Sequence, residues 1–238
     1  MNILLFNANE LSHTRQLVIN DLRRQTHLAN VIKPAIGDTI RVGQINGALG
    51  LAKVIFHTLR ETHLEVELHQ ASPAPLSLKL LLAIPRPKMM RRIIQTCATL
   101  GVSEITLLNS AKVEKSYWQT PILQPQSIYE NLILGLEQAG TTQLPLVHKA
   151  PLFKPYVEDK LDQWAGQSRR LVAHPRDAQQ CPNASQQATT LAIGPEGGFS
   201  EYEVDKLIQQ GFTPFSLGPR IMRVETVIPV AISRLCAL

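Results

Sequence analysis

From Leu78 onward the chain alternates short apolar runs with stretches of helical periodicity, and that alternation constrains its fold more than any other feature. The runs 78–84, 104–108, 144–147, 171–173, 191–193 and 215–217 read as buried strands. Helices are predicted over 87–100 and 127–138, from Ser200 toward Gly211, and over 225–235. Ser200-Glu201-Tyr202-Glu203 has the form of a capping box, Gly211 ends the helix it starts, and Pro229 is expected near the first turn of the last helix, where a missing N–H costs little. The rhythm is that of an α/β fold: a mostly parallel sheet, crossed by helices that cover its faces.

Residues 1–72 follow a different rule. Gly37-Asp38 opens Thr39-Ile40-Arg41-Val42, Asn46-Gly47 marks a turn, and Leu64-Glu65-Val66-Glu67-Leu68 alternates with period two. Several short strands in so few residues predict a small β-barrel. Ser72-Pro73-Ala74-Pro75 then favours an extended linker over a continuing strand or helix. The expected domains are therefore 1–72 and 73–238. With 238 residues, 44% of them hydrophobic and 18% charged, the chain has enough apolar material for a core of ordinary globular kind.

Charge narrows the partners. The formal net charge is +5, and the surplus sits in the middle third, where residues 73–150 carry eight basic and four acidic side chains. Lys88, Arg91 and Arg92 fall at i, i+3 and i+4 of the helix predicted over 87–100, with Arg86 just before it. A solvated helix face and a contact to nucleic-acid phosphates both fit this cluster. Cys97, Cys181 and Cys236 are odd in number and lack a C-x-x-C pattern, so reduced thiols in cytoplasm are expected. No export signal, membrane span or membrane partner is expected, since the first ten residues lack a basic flank and no apolar run reaches 18 residues. The histidines show no ligand spacing and no G-x-S-x-G elbow occurs, so neither a metal nor covalent catalysis is expected.

Two glycine-proline turns carry the functional signal. Gly194-Pro195-Glu196-Gly197-Gly198 follows the run 191–193, and Gly218-Pro219-Arg220-Ile221-Met222-Arg223 follows the run 215–217. Each would leave the carboxyl end of a buried strand, where open α/β sheets bind ligands. One helix separates the two strands, which predicts them as neighbours with their loops side by side. Neither turn has the G-x-G-x-x-G spacing of a dinucleotide site or the Lys-Ser/Thr of a phosphate loop. A bare chain reversal and a ligand loop both fit the first turn taken alone. A non-catalytic RNA-binding protein and a small-molecule nucleotide or phosphate enzyme of doubly wound type both fit these features, the latter weakened by the barrel-like N-terminus and the lack of a phosphate fingerprint.

Leu-Ala-Ile-Gly-Pro-Glu-Gly-Gly-Phe-Ser over 191–200, followed by Ser-Leu-Gly-Pro-Arg-Ile-Met-Arg-Val-Glu-Thr over 216–226, resembles the paired signature of the RsmE family, bacterial methyltransferases that modify N3 of a uridine in 16S ribosomal RNA. The resemblance implies a PUA-like β-barrel at the N-terminus and a SPOUT methyltransferase domain at the C-terminus. It also implies a trefoil knot, S-adenosylmethionine as cofactor, a homodimer, and 16S ribosomal RNA or the small ribosomal subunit as partner. The cofactor residues it implies are His174 and Pro175, Ile193 to Gly198 (Gly194, Pro195, Glu196 and Gly197 between them), then Leu217, Gly218, Ile221, Met222, Arg223 and Thr226. Glycines let main-chain atoms approach an adenosyl group, and Ile193, Leu217, Ile221 and Met222 supply an apolar slot.

For uridine N3, which carries a proton, the expected catalytic pair is Arg223, stabilising negative charge on the base, and Glu225, orienting Arg223 or accepting the proton. An Arg223–Glu225 ion pair that merely holds the fold is the structural alternative. Glu196 either faces the cofactor or caps its turn. Arg86, Lys88, Arg91, Arg92 and Lys115 are the expected RNA contacts. The chain departs from the family at Thr96–Val102, which lacks its lysine and glutamate, and after Glu137-Gln138-Ala139, where Gly140-Thr141-Thr142-Gln143 replaces its arginines. Residues 111–119, Ala-Lys-Val-Glu-Lys-Ser-Tyr-Trp-Gln, offer cationic and aromatic groups to a flipped base, although Tyr117 and Trp118 fit a core equally well.

Overall fold

A computed structural model describes residues 2–237. They form two compact units, one running to Ala74 and taking in Leu136–Leu144, the other comprising Pro75–Gly135 and everything from Pro145 on.

In the first unit, β1 (Leu4–Phe6), β2 (Gln16–Ile19), α1 (Leu22–His27), β3 (Thr39–Gln44), β4 (Leu49–His57) and β5 (Thr62–Gln70) follow in order. The five strands hydrogen-bond in the order β1-β3-β4-β5-β2, with β1 and β3 parallel and the other pairs antiparallel. Alternate residues of β2 and β5 turn inward, and Phe6, Leu17, Ile19, Val42, Val54 and Leu64 form a core with no exposed surface. Asn46 takes a left-handed backbone, φ +58°, in the turn expected there. The sequence pattern missed α1 because six residues give too few turns for a period to register. Asp21 starts it by accepting the Arg24 N–H.

Arg24 then gathers Asp21 and Glu10 around its guanidinium. Burial would raise the pKa of both carboxyls, but their hydrogen bonds and the Arg24 charge prevail and hold both low. Glu137, which the resemblance places beside an RNA-facing segment, is instead only 2% exposed and receives two hydrogen bonds from Arg23, at 2.7 and 2.9 Å.

The second unit contains β6 (Leu76–Ala83), α2 (Pro87–Thr99), β7 (Val102–Leu108), the greater part of α3 (Pro125–Ala139), β8 (Leu146–Ala150), α4 (Phe153–Asp159), α5 (Leu161–Ala165), β9 (Arg169–Ala173), β10 (Gln179–Gln180), β11 (Thr189–Ile193), α6 (Glu201–Gln209), β12 (Thr213–Ser216) and α7 (Val224–Leu235). Its seven strands pair in the order β10-β12-β9-β11-β6-β7-β8, and every pairing is parallel. This is the predicted α/β architecture, and β11, buried at all five positions, lies deep within it. Lys79, the charge inside the first apolar run, is neutralised across the sheet by Glu104 at 2.9 Å.

Three expectations need correction. β11 and β12 are not neighbours: β6 and β9 occupy the two edges of β11, so the chain returns past β9 before laying down β12. The last strand lies at Thr213–Ser216, leaving Leu217 just beyond it. Pro229 lies inside α7, in its second turn, where it removes the donor that the Glu225 carbonyl would otherwise receive. The helix holds because Val224, Ile228, Ala231, Ile232 and Leu235 bury one continuous stripe, and α7 packs against α2.

Candidate active site

Ala173 stands beside both Ile193 and Phe215 in the parallel register, so β9, β11 and β12 release their chains at the same edge of the sheet. Three loops start there, with the β9 loop in the middle. The His174 amide donates to the Phe215 carbonyl at 3.2 Å and carries the edge pairing one residue further.

His174 joins two of the loops. Its Nδ1 accepts the Arg176 N–H at 3.2 Å, and its ring bonds the Phe199 backbone beyond β11. Burial lowers its pKa, the Phe199 bond raises it, and the charges of Arg176 and Lys112 lower it again, leaving the ring neutral at neutral pH. Pro175 beside it is exposed.

The β11 loop is a tight turn in which Gly198 N–H donates to the Pro195 carbonyl at 2.8 Å and Gly198 has φ +67°. A Cβ on Gly194 would lie 2.7 Å from the Phe199 nitrogen, so no larger residue fits this turn. Ile193, Gly194 and Pro195 are buried, whereas Glu196 and Gly197 are exposed at the tip. The tip is held from outside: Glu196 Oε1 accepts the Arg86 N–H at 2.8 Å, and Lys112 Nζ donates to the Gly197 carbonyl at 2.7 Å. Glu196 thus links its turn to the start of α2.

The β12 loop is the most open of the three. Leu217 and Met222 are half-buried, Gly218 is exposed, and Ile221 is 102% exposed. Arg223 is the exposed N-cap of α7, and its carbonyl accepts the Thr226 and Val227 N–H groups, both at 2.9 Å. No ion pair joins Arg223 to Glu225 among the described residues, so the alternative in which that pair holds the fold has no contact behind it. Glu225 does complement the positive N-terminal end of α7.

Arg86 is the N-cap of α2, and Lys88, Arg91 and Arg92 are exposed along that helix without an ion-pair partner among the described residues. Lys115 opens a 3-10 turn, Lys115–Gln119, in the loop after β7. Tyr117 in that turn bonds Glu114 at 3.1 Å. Partial desolvation and Glu114 hold its pKa above the usual range, with the Arg86 charge opposing. Trp118 Nε1 donates to Asn109 Oδ1 at 2.9 Å.

Glu203, singled out in the sequence only as a capping residue, and Lys112, one cation among several, are the site residues that sequence reasoning missed. The capping-box spacing and the basic-aromatic run were their only signals. No cluster of three or more His, Cys, Asp or Glu side chains able to hold a metal occurs among the described residues. No helix among them is long and apolar enough to cross a membrane.

The family model of an RNA methyltransferase domain matches residues 72–236. The chain is 29% identical over 231 residues to ribosomal RNA small subunit methyltransferase E of Treponema pallidum, covering 95% of this chain and 87% of that protein. It is 26% identical over 239 residues to ribosomal RNA small subunit methyltransferase E 1 of Borreliella burgdorferi, covering 95% and 93%. Its fold is that of the Neisseria gonorrhoeae ribosomal RNA small subunit methyltransferase E bound to S-adenosyl methionine, with TM-score 0.80, 22% identity, and 98% and 95% of the two chains covered. With the matched region spanning the whole parallel sheet and its three loops, the chain belongs to the RNA methyltransferase domain family, as a member of its RsmE branch.

Proposed function

We propose that the chain uses S-adenosylmethionine to methylate N3 of a uridine in 16S ribosomal RNA. The observation that carries this reading is the convergence of the β9, β11 and β12 loops at one sheet edge, around a Gly194 turn with no room for a side chain. The names of the relatives, which are ribosomal RNA small subunit methyltransferases, support the acceptor.

The residues present suit the cofactor. Main-chain groups of 194–198 and 217–218 offer hydrogen bonds without side-chain bulk, while Ile193, Leu217 and Met222 are apolar and at least partly buried, as an adenine slot requires. When bound, S-adenosylmethionine supplies an electrophilic methyl group, and the protein's part is to align the acceptor and deal with one proton. The Arg223 guanidinium stabilises the negative charge that develops on the uracil as N3 loses its proton. Glu225, two residues on, is the proposed proton acceptor. Arg86, Lys88, Arg91, Arg92 and Lys115 hold RNA phosphates.

The same reading assigns residues 1–72 to a PUA-like RNA-binding barrel and 73–238 to a SPOUT domain with a trefoil knot. It makes the protein a homodimer acting on ribosomal RNA in the cytoplasm. The three buried free thiols, Cys97 among them with its pKa pushed up to about 12, suit a protein that does not rely on disulfides.

The test is transfer of labelled methyl from S-adenosylmethionine to small-subunit ribosomal RNA, followed by mapping of the modified nucleotide. Label at N3 of one uridine is expected. RNA retention without label would leave a non-catalytic RNA-binding protein.

A further inference from the structure

The Glu203 carboxylate does more than a helix cap requires. In an ordinary capping box it would serve only its own N-terminus, as it does by accepting Ser200 N–H at 2.8 Å and Ser200 Oγ–H at 3.0 Å. It also accepts the Ala111 N–H at 2.7 Å and the Ser110 hydroxyl at 3.1 Å, both from the loop that leaves β7. Glu203 is 2% exposed, and all four donors converge on one buried carboxylate. A second tie lies at the other end of the β11 loop, where Lys112 reaches the Gly197 carbonyl. The loop over 109–119 is thus fastened to the β11 loop at its tip and its base.

What this fastening holds in place is the segment carrying Lys115, Tyr117 and Trp118. The Trp118–Asn109 bond folds the segment back on its own start, Lys115 is exposed, and Tyr117 is half-buried near Arg86. Cations beside aromatic rings suit an unstacked nucleotide and its phosphate.

We propose that Glu203 is a positioning residue for the RNA acceptor, setting the 109–119 loop against the β11 loop so that an unstacked nucleotide is held over the methyl-donor site. This rests on the methyltransferase reading above. Glu203→Gln disturbs it without removing bulk: whichever way the amide is turned, its NH2 faces either the Ala111 or the Ser200 N–H, and one backbone donor goes unsatisfied. Ser110→Ala is the milder change, because it deletes one bond on the acceptor side and leaves the α6 cap whole.

The experiment measures methyl transfer against RNA concentration, and S-adenosylmethionine affinity by calorimetry, on the full chain and both variants. The expected result is an RNA KM raised about fivefold or more in each variant, the scale of one hydrogen bond to a charged group. Cofactor affinity in Ser110→Ala should stay within about twofold of the parent chain. An unchanged RNA KM in Ser110→Ala, with Glu203→Gln losing only thermal stability, would reduce Glu203 to a cap and overturn the proposal. Cofactor affinity lost in step with RNA KM in Ser110→Ala would overturn it too, by assigning the loop to the cofactor. If the parent chain neither binds S-adenosylmethionine nor transfers methyl, the functional reading fails first and takes this inference with it.

Discussion

Gly194 and Arg223 carry opposite kinds of constraint. At Gly194 the backbone is so close to Phe199 and Gly198 that a methyl group must open the turn. Gly194→Ala is therefore expected to weaken S-adenosylmethionine binding by about tenfold or more in calorimetry, with the thermal transition moved by only a few degrees. Arg223 is exposed and makes no ion pair among the described residues, so its removal breaks none there. In the proposed role, Arg223→Ala lowers kcat by about a hundredfold while cofactor affinity is kept. Equal loss of affinity and turnover would show that the residue shapes the cofactor loop instead.

At the scale of elements, the β9 and β11 loops are coupled through the neutral His174 ring. Its folded pKa lies below the ordinary histidine value of 6.5, so the folded chain binds fewer protons there than the unfolded chain does. The stabilisation is complete above that ordinary value and is lost as pH falls from it toward the folded value. Protonation also removes the acceptor for the Arg176 N–H. Cofactor affinity should therefore drop as pH falls below the ordinary histidine value, and His174→Gln should flatten the profile. A profile identical in both proteins would remove His174 from the coupling. The carboxyls on Arg24 respond lower on the scale: their stabilisation is present above the ordinary carboxylate values and fades as pH falls through their depressed folded ones.

At the scale of the whole molecule, the proposed RNA contacts are tested by the salt dependence of binding. Lys88, Arg91 and Arg92 are exposed on α2 and without an ion-pair partner among the described residues, so a solvated face and a phosphate contact predict different salt dependence. Replacing all three by alanine should reduce the slope of log RNA affinity against log salt by about two to three, one for each phosphate no longer neutralised, with cofactor affinity unchanged. An unchanged slope would make them a solvated face. The Arg23–Glu137 pair gives a separate handle on the first unit. Arg23→Ala leaves a buried carboxylate without its partner and should cost about 2–3 kcal/mol of thermal or denaturant stability, less than a fully buried pair because Arg23 is partly exposed.

Local chemistry was legible in the sequence because it acts between residues close in the chain. Apolar runs marked β6, β7 and β11, the Ser200–Glu203 spacing marked the start of α6, and the glycine-proline turns marked two of the three loops at the sheet edge. Short helices such as α1, and the pieces α4 and α5 before β9, were illegible because one or two turns carry no readable period. Sheet order was decided only in three dimensions: nothing local tells β12 to pair with β9 instead of β11, since that choice depends on β6 having already taken the other edge of β11. The same holds for Glu137, whose partner Arg23 lies 114 residues away, and for Glu203, where local spacing predicts the cap but only tertiary packing brings Ser110 and Ala111 to the same carboxylate. Strand propensity, turns and caps are short-range energies written residue by residue, whereas strand order and buried polar partners are set by which surfaces remain open once the rest of the chain has packed.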